Sequence, residues 1–215
     1  TTPTATPCSR PPWTGSSPTV KERWIMQAVV VLFSAALTNN IALTNFLGMC
    51  PFIAVSRDVK TAFGMGAAVT LVMTLTAAAN WAIQHYLLEP FGVEHLQYII
   101  FIVVIAAIVQ VLELAIERFS PDLYASFGVF LALITVNCAI LGVSLFMVLR
   151  GYGFVETLAY GFGSGVGWTL AIVALAGIRQ KIEKADIPMG LEGPGITMIA
   201  TAIMAMAFIG LTGLI

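Results

Sequence analysis

The sequence predicts an all-α integral membrane protein with six transmembrane helices, arranged as a 3+3 inverted-topology repeat whose first and fourth helices are broken. Three observations support this class. The 215 residues are 59% hydrophobic and only 10% charged, whereas soluble domains carry about 25% charged residues. Six apolar runs are long enough to cross a bilayer, which takes about 20 residues. Two short motifs from the first half of the chain also recur in the second half.

The six apolar runs are separated by short connections, so residues 21–215 are expected to form one membrane domain. The runs cover residues 24–47, 62–84, 96–116, 124–149, 155–178 and 194–215. Residues 1–20 are rich in Thr, Pro and Ser and have no hydrophobic pattern to fold around, which predicts a flexible polar tail. We assign no function to Cys8 in this tail. The net charge of −1 provides no basic face for nucleic acid.

The internal repeat has a single offset of 97 residues. The matching pairs are 38–42 with 135–139, and 63–69 with 160–166. Each half of the chain, about 24–116 and 121–215, contains three helices. Because three is an odd number, the second half enters the membrane from the opposite side, which predicts an inverted-topology repeat.

The first apolar run ends in a segment, residues 37–51, that does not favour a regular membrane helix. Three asparagines fall where hydrocarbon is expected: Asn39, Asn40 and Asn45. Because a buried amide without a partner is costly in lipid, these side chains must face protein, water or a bound group. Gly48 and Pro51 disfavour a regular helix on either side of Cys50. We therefore predict a helix that ends inside the protein and presents a thiol there.

Cys50 and Cys138 lie in the two interrupted segments, Cys138 directly after Asn137. From the residues alone, three roles are open. Free cysteine is often a small buried hydrophobe, and the two thiols could instead form a disulfide. The third role is ligation of an iron–sulfur cluster, which needs four protein ligands, usually Cys. The predicted membrane domain offers only two, so another protein chain would have to supply the rest.

Polar residues also occur in the third run. Gln110 and Glu113 are three positions apart and therefore share one helix face. An ionisable group within a membrane segment indicates function by default. Glu113 is also close enough to Glu117 and Arg118, at the end of the run, to be an interfacial anchor.

Glycines are concentrated in the fifth run at four alternate positions: Gly161, Gly163, Gly165 and Gly167. Small residues four positions apart allow neighbouring helix backbones to approach closely. The pattern therefore predicts helix packing rather than direct contact with a ligand.

Lys and Arg residues predict the orientation in the membrane. The connections after the first, third and fifth runs carry Arg57, Lys60, Arg118, Arg179, Lys181 and Lys184. The opposite side carries Lys21, Arg23 and Arg150, together with Arg10 in the tail. Because cytoplasmic loops are enriched in Lys and Arg, both termini are expected on the outside, although Lys21 and Arg23 argue the other way.

Three stretches, residues 40–52, 133–142 and 160–168, resemble one family of membrane subunits. This family includes the E subunit of the Na⁺-translocating NADH:quinone oxidoreductase (Nqr) and the A subunit of the Rnf ferredoxin:NAD⁺ oxidoreductase. The resemblance extends from about residue 28 to 215. Residues 166–179 are most similar to the quinone-reductase protein, whereas Asn39-Asn40 and Cys50-Pro51 are more similar to the Rnf protein.

The resemblance implies a specific function in a bacterial inner membrane. Family members pair with a homologous membrane subunit of opposite orientation, with a [2Fe-2S] cluster held between them by two Cys from each. On this chain, the implied ligands are Cys50 and Cys138, with Asn40 and Asn137 as polar lining near the cluster. The implied complex contains flavin-carrying subunits, oxidises NADH with ubiquinone and transports Na⁺, with Glu113 a candidate for the cation route. The chain has no dinucleotide-binding glycine fingerprint of its own.

An alternative from a different class is a secondary transporter with an inverted repeat and no redox centre. In that case Asn40 and Asn137 would bind the substrate or ion, and the cysteines would only pack.

Overall fold

The computed structural model describes residues 20–92, 94–119, 133–182 and 193–212, and these residues form helices and turns without a strand. The helices are α1 (Val20–Phe33), α2 (Met49–Val55), α3 (Val59–Ile83), α4 (Gln97–Phe119), α5 (Cys138–Leu149), α6 (Phe154–Ile182) and α7 (Pro194–Thr212). π-Helical turns extend α1 (Ser34–Thr38) and α3 (Gln84–Leu88). Because α1 begins at Val20, the remainder of the predicted tail lies outside the described residues.

In the part of the chain that the structure describes, three helical stretches are long and apolar enough to cross a membrane: Val59–Leu88, Gln97–Ala115 and Phe154–Ile182. Three shorter apolar helices span Ile25–Thr38, Leu133–Leu149 and Pro194–Gly210. In chain order, these six stretches correspond to the six predicted runs. These stretches confirm the predicted class of helical membrane protein. The arrangement as a six-helix inverted repeat stays a prediction.

The first predicted run is broken earlier than expected. Its helix ends at Thr38, and residues 39–48 form turns. The expectation of irregular backbone around Cys50 was wrong, because Cys50 and Pro51 both lie inside α2. Pro51 is the third residue of α2, where a helix has no intrahelical partner for the backbone N–H and therefore tolerates proline. The break thus precedes the thiol, which lies on a helix.

The second break falls at Val136 and Asn137, between helical residues 133–135 and α5. The Asn137 side chain caps α5 by accepting a hydrogen bond from the backbone N–H of Ala139 at 3.0 Å. At the first break, Asn40 Oδ1 accepts from the backbone N–H of Ala42 at 3.1 Å. The repeated Asn-x-Ala sequence therefore forms the same local turn at both breaks.

Helices α3 and α6 pack against each other in antiparallel directions. A Cβ added at Gly165 would lie 2.7 Å from Cα of Thr70, and one at Gly161 would lie 3.1 Å from Cβ of Ala77. The hydroxyls of Thr70 and Thr169 are 3.1 Å apart. Residue numbers thus rise along α3 as they fall along α6. An inverted repeat requires this relationship between its two second helices.

The other two glycines of the predicted glycine run, Gly163 and Gly167, face a different neighbour. A Cβ at Gly163 would lie 2.6 Å from the carbonyl oxygen of Leu32, and one at Gly167 would lie 2.6 Å from that of Ala36. Gly161 and Gly165 therefore accommodate α3, whereas Gly163 and Gly167 accommodate the first helix. The predicted packing role of this glycine run is confirmed, and α6 lies between both partners.

Candidate functional site

The two predicted ligand cysteines both lie at the start of a helix. Cys50 is the second residue of α2, and Cys138 is the first residue of α5. Both are free thiols, and both are exposed. Neither sulfur is paired with another, and neither residue is buried within this chain. Two accessible thiols remain at the starts of two helices that each follow a break.

A hydrogen bond joins the two breaks directly. The backbone N–H of Gly48 donates to Sγ of Cys138 at 3.1 Å. Gly48 lies two residues before Cys50, so this contact brings the surroundings of both cysteines together. Backbone N–H donors are suited to electron-rich sulfur, and hydrogen bonds to sulfur tune iron–sulfur centres. The arrangement can therefore stabilise a thiolate ligand at Cys138.

Gly48 is held in a tight space with a left-handed backbone. Its φ angle is +78°, and an added Cβ would lie 2.8 Å from Asn137 Oδ1 and 2.9 Å from Trp168 Nε1. Glycine adopts this conformation without a Cβ penalty. A side chain at this position would displace the very groups that surround Cys138.

The two predicted lining asparagines are both buried but differ in their contacts. Asn40 Nδ2 donates to the carbonyl oxygen of Gly167 at 2.7 Å, which ties the first break to α6. Asn137 accepts the N–H of Ala139 through Oδ1, while its Nδ2 has no hydrogen-bond partner. The structure thus brings Asn137 to Gly48 and Cys138, and uses Asn40 to anchor the loop.

Trp168 is a site residue that sequence reasoning missed. It is 0% exposed, and its ring packs edge-on against Phe52 of α2 with 6.1 Å between ring centroids. Its Nε1 has no hydrogen-bond partner. The only sequence signal was its place directly after the glycine-rich run. Sequence spacing could not predict which residues its ring and its N–H would contact.

Arg179 requires a correction. It was expected to begin a cytoplasmic loop, but it lies on α6 and is only 9% exposed. Its Nη1 donates to the carbonyl oxygen of Ile53 at 3.0 Å and to Oγ of Ser56 at 2.8 Å. Ile53 lies in the last turn of α2, where helix carbonyls have no partner within the helix, and Ser56 is the residue directly after α2. Arg179 therefore fixes the helix that carries Cys50.

Glu113 lies near the carboxyl end of the apolar stretch Gln97–Ala115 and is half-buried. Its Oε2 accepts a hydrogen bond from Gln110 Nε2 at 3.4 Å. The predicted shared face of these two residues is confirmed. A role in a cation route stays a prediction.

Two thiols are half of the four protein ligands that an iron–sulfur cluster usually takes. Among residues 20–92, 94–119, 133–182 and 193–212, no group of three or more His, Cys, Asp or Glu side chains could hold a metal ion. An apolar cavity of about 540 Å³ opens beside Cys138 and is also lined by Leu47, Tyr98, Gly142 and Phe146. The accessible side of Cys138 therefore adjoins an apolar surface.

Known proteins are similar in sequence to most of this chain. Residues 28–215 match the family model described as "Rnf-Nqr subunit, membrane protein". The E subunit of the Na⁺-translocating NADH-quinone reductase of Serratia proteamaculans is 50% identical over 195 residues, which cover 87% of this chain and 98% of that protein. The A subunit of the Na⁺-translocating ferredoxin:NAD⁺ oxidoreductase complex of Acetobacterium woodii is 46% identical over 189 residues, which cover 88% of this chain and 98% of that protein.

Proposed function

Since the chain belongs to the Rnf-Nqr family of membrane subunits, we propose that it is an electron-relay subunit of a Na⁺-translocating NADH:quinone oxidoreductase. In this proposal, it shares a [2Fe-2S] cluster with a homologous membrane subunit of opposite orientation and is active only within the complex. Flavin-carrying subunits exchange electrons with the cluster, and the electron flow is coupled to cation transport.

One observation carries the proposal: two free, exposed thiols follow two helix breaks, and the N–H of Gly48 beside one thiol bonds to the sulfur of the other at 3.1 Å. Thiolate sulfur is the usual protein ligand of an iron–sulfur cluster. Cys50 and Cys138 would hold one side of the cluster, and the partner subunit would supply two further thiolates. When bound, the cluster accepts and releases one electron.

The surrounding residues keep the two thiols in place. Asn40 ties the first break to α6 through Gly167, and Arg179 of α6 holds the carboxyl end of α2. Trp168 packs against Phe52 on the same short helix. Because all three contacts involve α6, this long helix is a rigid support for the Cys50 segment. A fixed ligand geometry favours electron transfer because little reorganisation accompanies the change of charge.

Residues 166–179 are the reason to place the chain in the quinone-reducing complex, because this stretch most resembles the quinone-reductase protein. The alternative is the related ferredoxin:NAD⁺ complex, to whose A subunit the chain is 46% identical. The electron acceptor distinguishes the two complexes. In our proposal, the purified complex reduces ubiquinone with electrons from NADH. Reduction of NAD⁺ by reduced ferredoxin, without quinone reduction, would favour the alternative.

We also propose a bacterial inner-membrane location with both termini in the periplasm, supported by the distribution of Lys and Arg. A single cysteine introduced between positions 183 and 193, after the end of α6, should react with an impermeant thiol reagent only from the cytoplasmic side. Labelling from the periplasmic side would reverse the orientation.

The cluster is tested by replacing each cysteine within the whole complex. Cys50→Ala and Cys138→Ala should each abolish the visible charge-transfer absorbance, the corresponding iron and electron transfer to the downstream flavin. Loss of a mere packing contact would instead cost on the order of 1 kcal/mol in stability. Cys8→Ala is the control and should retain all three signals. A Cys138→Ala complex with full iron and full activity would refute the shared cluster and favour the secondary transporter.

A further inference from the structure

Two buried N–H groups beside the cysteines lack acceptors. Among the described residues, Asn137 Nδ2 and Trp168 Nε1 are buried without a hydrogen-bond partner. A buried donor without an acceptor destabilises the fold, and hydrocarbon offers no water to replace the missing acceptor. Two such groups at one place indicate that an acceptor from outside the chain belongs there.

The side chains that carry the two groups both lie beside Gly48. The Cβ position of Gly48 is 2.9 Å from Trp168 Nε1 and 2.8 Å from the carboxamide oxygen of Asn137. The N–H of the same glycine donates to Cys138 Sγ at 3.1 Å. Gly48, whose N–H already donates to the sulfur of Cys138, therefore lies next to both side chains that carry an unpaired N–H group.

The orientation of the Asn137 carboxamide is fixed by its cap. Its Oδ1 accepts the N–H of Ala139 at 3.0 Å, and rotation of the amide would place an NH₂ against that donor. The equivalent residue in the first half, Asn40, has its Nδ2 bonded to the carbonyl of Gly167 at 2.7 Å. The same local turn therefore has a spare donor only at the second break, next to Cys138.

We propose that Trp168 Nε1 and Asn137 Nδ2 donate hydrogen bonds to the sulfur atoms of the iron–sulfur group held at Cys50 and Cys138, and thereby raise its reduction potential. This inference rests on the proposed function. Reduction adds one electron and one negative charge to the group. Donors that point at its sulfur atoms stabilise the more negative state, and hydrogen bonds to sulfur are known to set such potentials. The two side chains are tuning residues and transfer no electron themselves.

The first test is Trp168→Phe in the assembled complex. Phenylalanine keeps an aromatic ring against Phe52 but has no N–H. A redox titration with dithionite and ferricyanide, followed by the EPR signal of the reduced cluster, should give a more negative midpoint potential at unchanged iron content. Trp81→Phe is the matched control, because Trp81 Nε1 donates to the carbonyl oxygen of Tyr152 at 3.1 Å, and its loss should leave the potential unchanged.

The second variant, Asn137→Ser, decides the question if Trp168→Phe does not assemble. Serine keeps a cap acceptor for Ala139, and it replaces the carboxamide NH₂ by one O–H on a shorter side chain that cannot reach as far. It should shift the potential in the same direction, and the double variant should shift it further. With ¹⁵N-labelled tryptophan, pulsed EPR of the wild-type complex should show a nitrogen coupling that Trp168→Phe abolishes.

Different results would refute the tuning role of the two side chains and the proposed function. Wild-type iron and EPR signals with unchanged potentials in the assembling variants would overturn this inference and leave the cluster intact. A wild-type complex without any cluster signal would instead refute the proposed function, on which the inference rests.

Discussion

Asn40 and Gly167 are 127 positions apart in the sequence, yet Nδ2 of Asn40 lies 2.7 Å from the carbonyl oxygen of Gly167. The Asn40 side chain is 1% exposed and also accepts the N–H of Ala42. One amide therefore shapes the first break and fastens it to α6. Directly after that carbonyl in the chain, Trp168 contacts Gly48 and Phe52.

Asn40→Leu should destabilise the complex, because it keeps the approximate volume but leaves the Ala42 N–H without its acceptor. The expected loss is about 1–3 kcal/mol in the free energy of unfolding, the range for an unpaired buried donor. It is measured as a lower midpoint of thermal unfolding in detergent. The control is Asn45→Leu at an exposed position of the same loop. Equal midpoints for both variants would contradict an anchoring role for Asn40.

Gly163→Leu should disrupt the packing of α6 on the first helix, since even a Cβ would lie 2.6 Å from a backbone oxygen. We expect a loss of about 3 kcal/mol or more, at the upper end of the range for overpacking. Gly177→Leu on the same helix is the matched control, because a Cβ there meets nothing within 4 Å. The measurement is the yield and melting temperature of the assembled complex. A Gly163→Leu complex that melts like wild type would show that this face is not an interface.

Arg179→Met should loosen α2 and with it Cys50. It removes the charged donor to Ile53 and Ser56 while it keeps an unbranched apolar stem, and hydrogen bonds to charged groups contribute about 1.5–3 kcal/mol. We expect a lower melting temperature and faster loss of iron on exposure to a chelator. Lys181→Met, at an exposed position two residues later, should change neither. Identical iron retention in both variants would exclude a supporting role for Arg179.

Glu113→Gln should slow Na⁺-dependent turnover without loss of iron, because it removes one charge and changes little volume. The measurement is the steady-state rate as a function of Na⁺ concentration. Glu117→Gln, an exposed residue one turn further along α4, is the control. If the Na⁺ dependence of Glu113→Gln equals that of wild type, Glu113 is an interfacial anchor rather than part of a cation route.

Much of the local structure could be predicted from the sequence, because it depends on properties of neighbouring residues. Long apolar runs without charges favour membrane helices, and polar Asn residues inside such runs predict the two breaks. The repeated Asn-x-Ala motif forms the same turn twice because an Asn side chain can accept the N–H two residues later. The sequence did not predict that Cys50 lies on a helix, because Pro51 is compatible with the first turn of α2 as well as with a break.

The sequence by itself places one cysteine next to each of the two breaks, and so determines that two thiols are available. Their relationship is decided by the tertiary structure. The hydrogen bond from Gly48 to Cys138 joins residues 90 positions apart, and that from Arg179 to Ser56 joins residues 123 positions apart. No periodicity encodes such pairs, because they depend on how α6 packs between α3 and the first helix. That packing makes Trp168 and Arg179 neighbours of the cysteine segments.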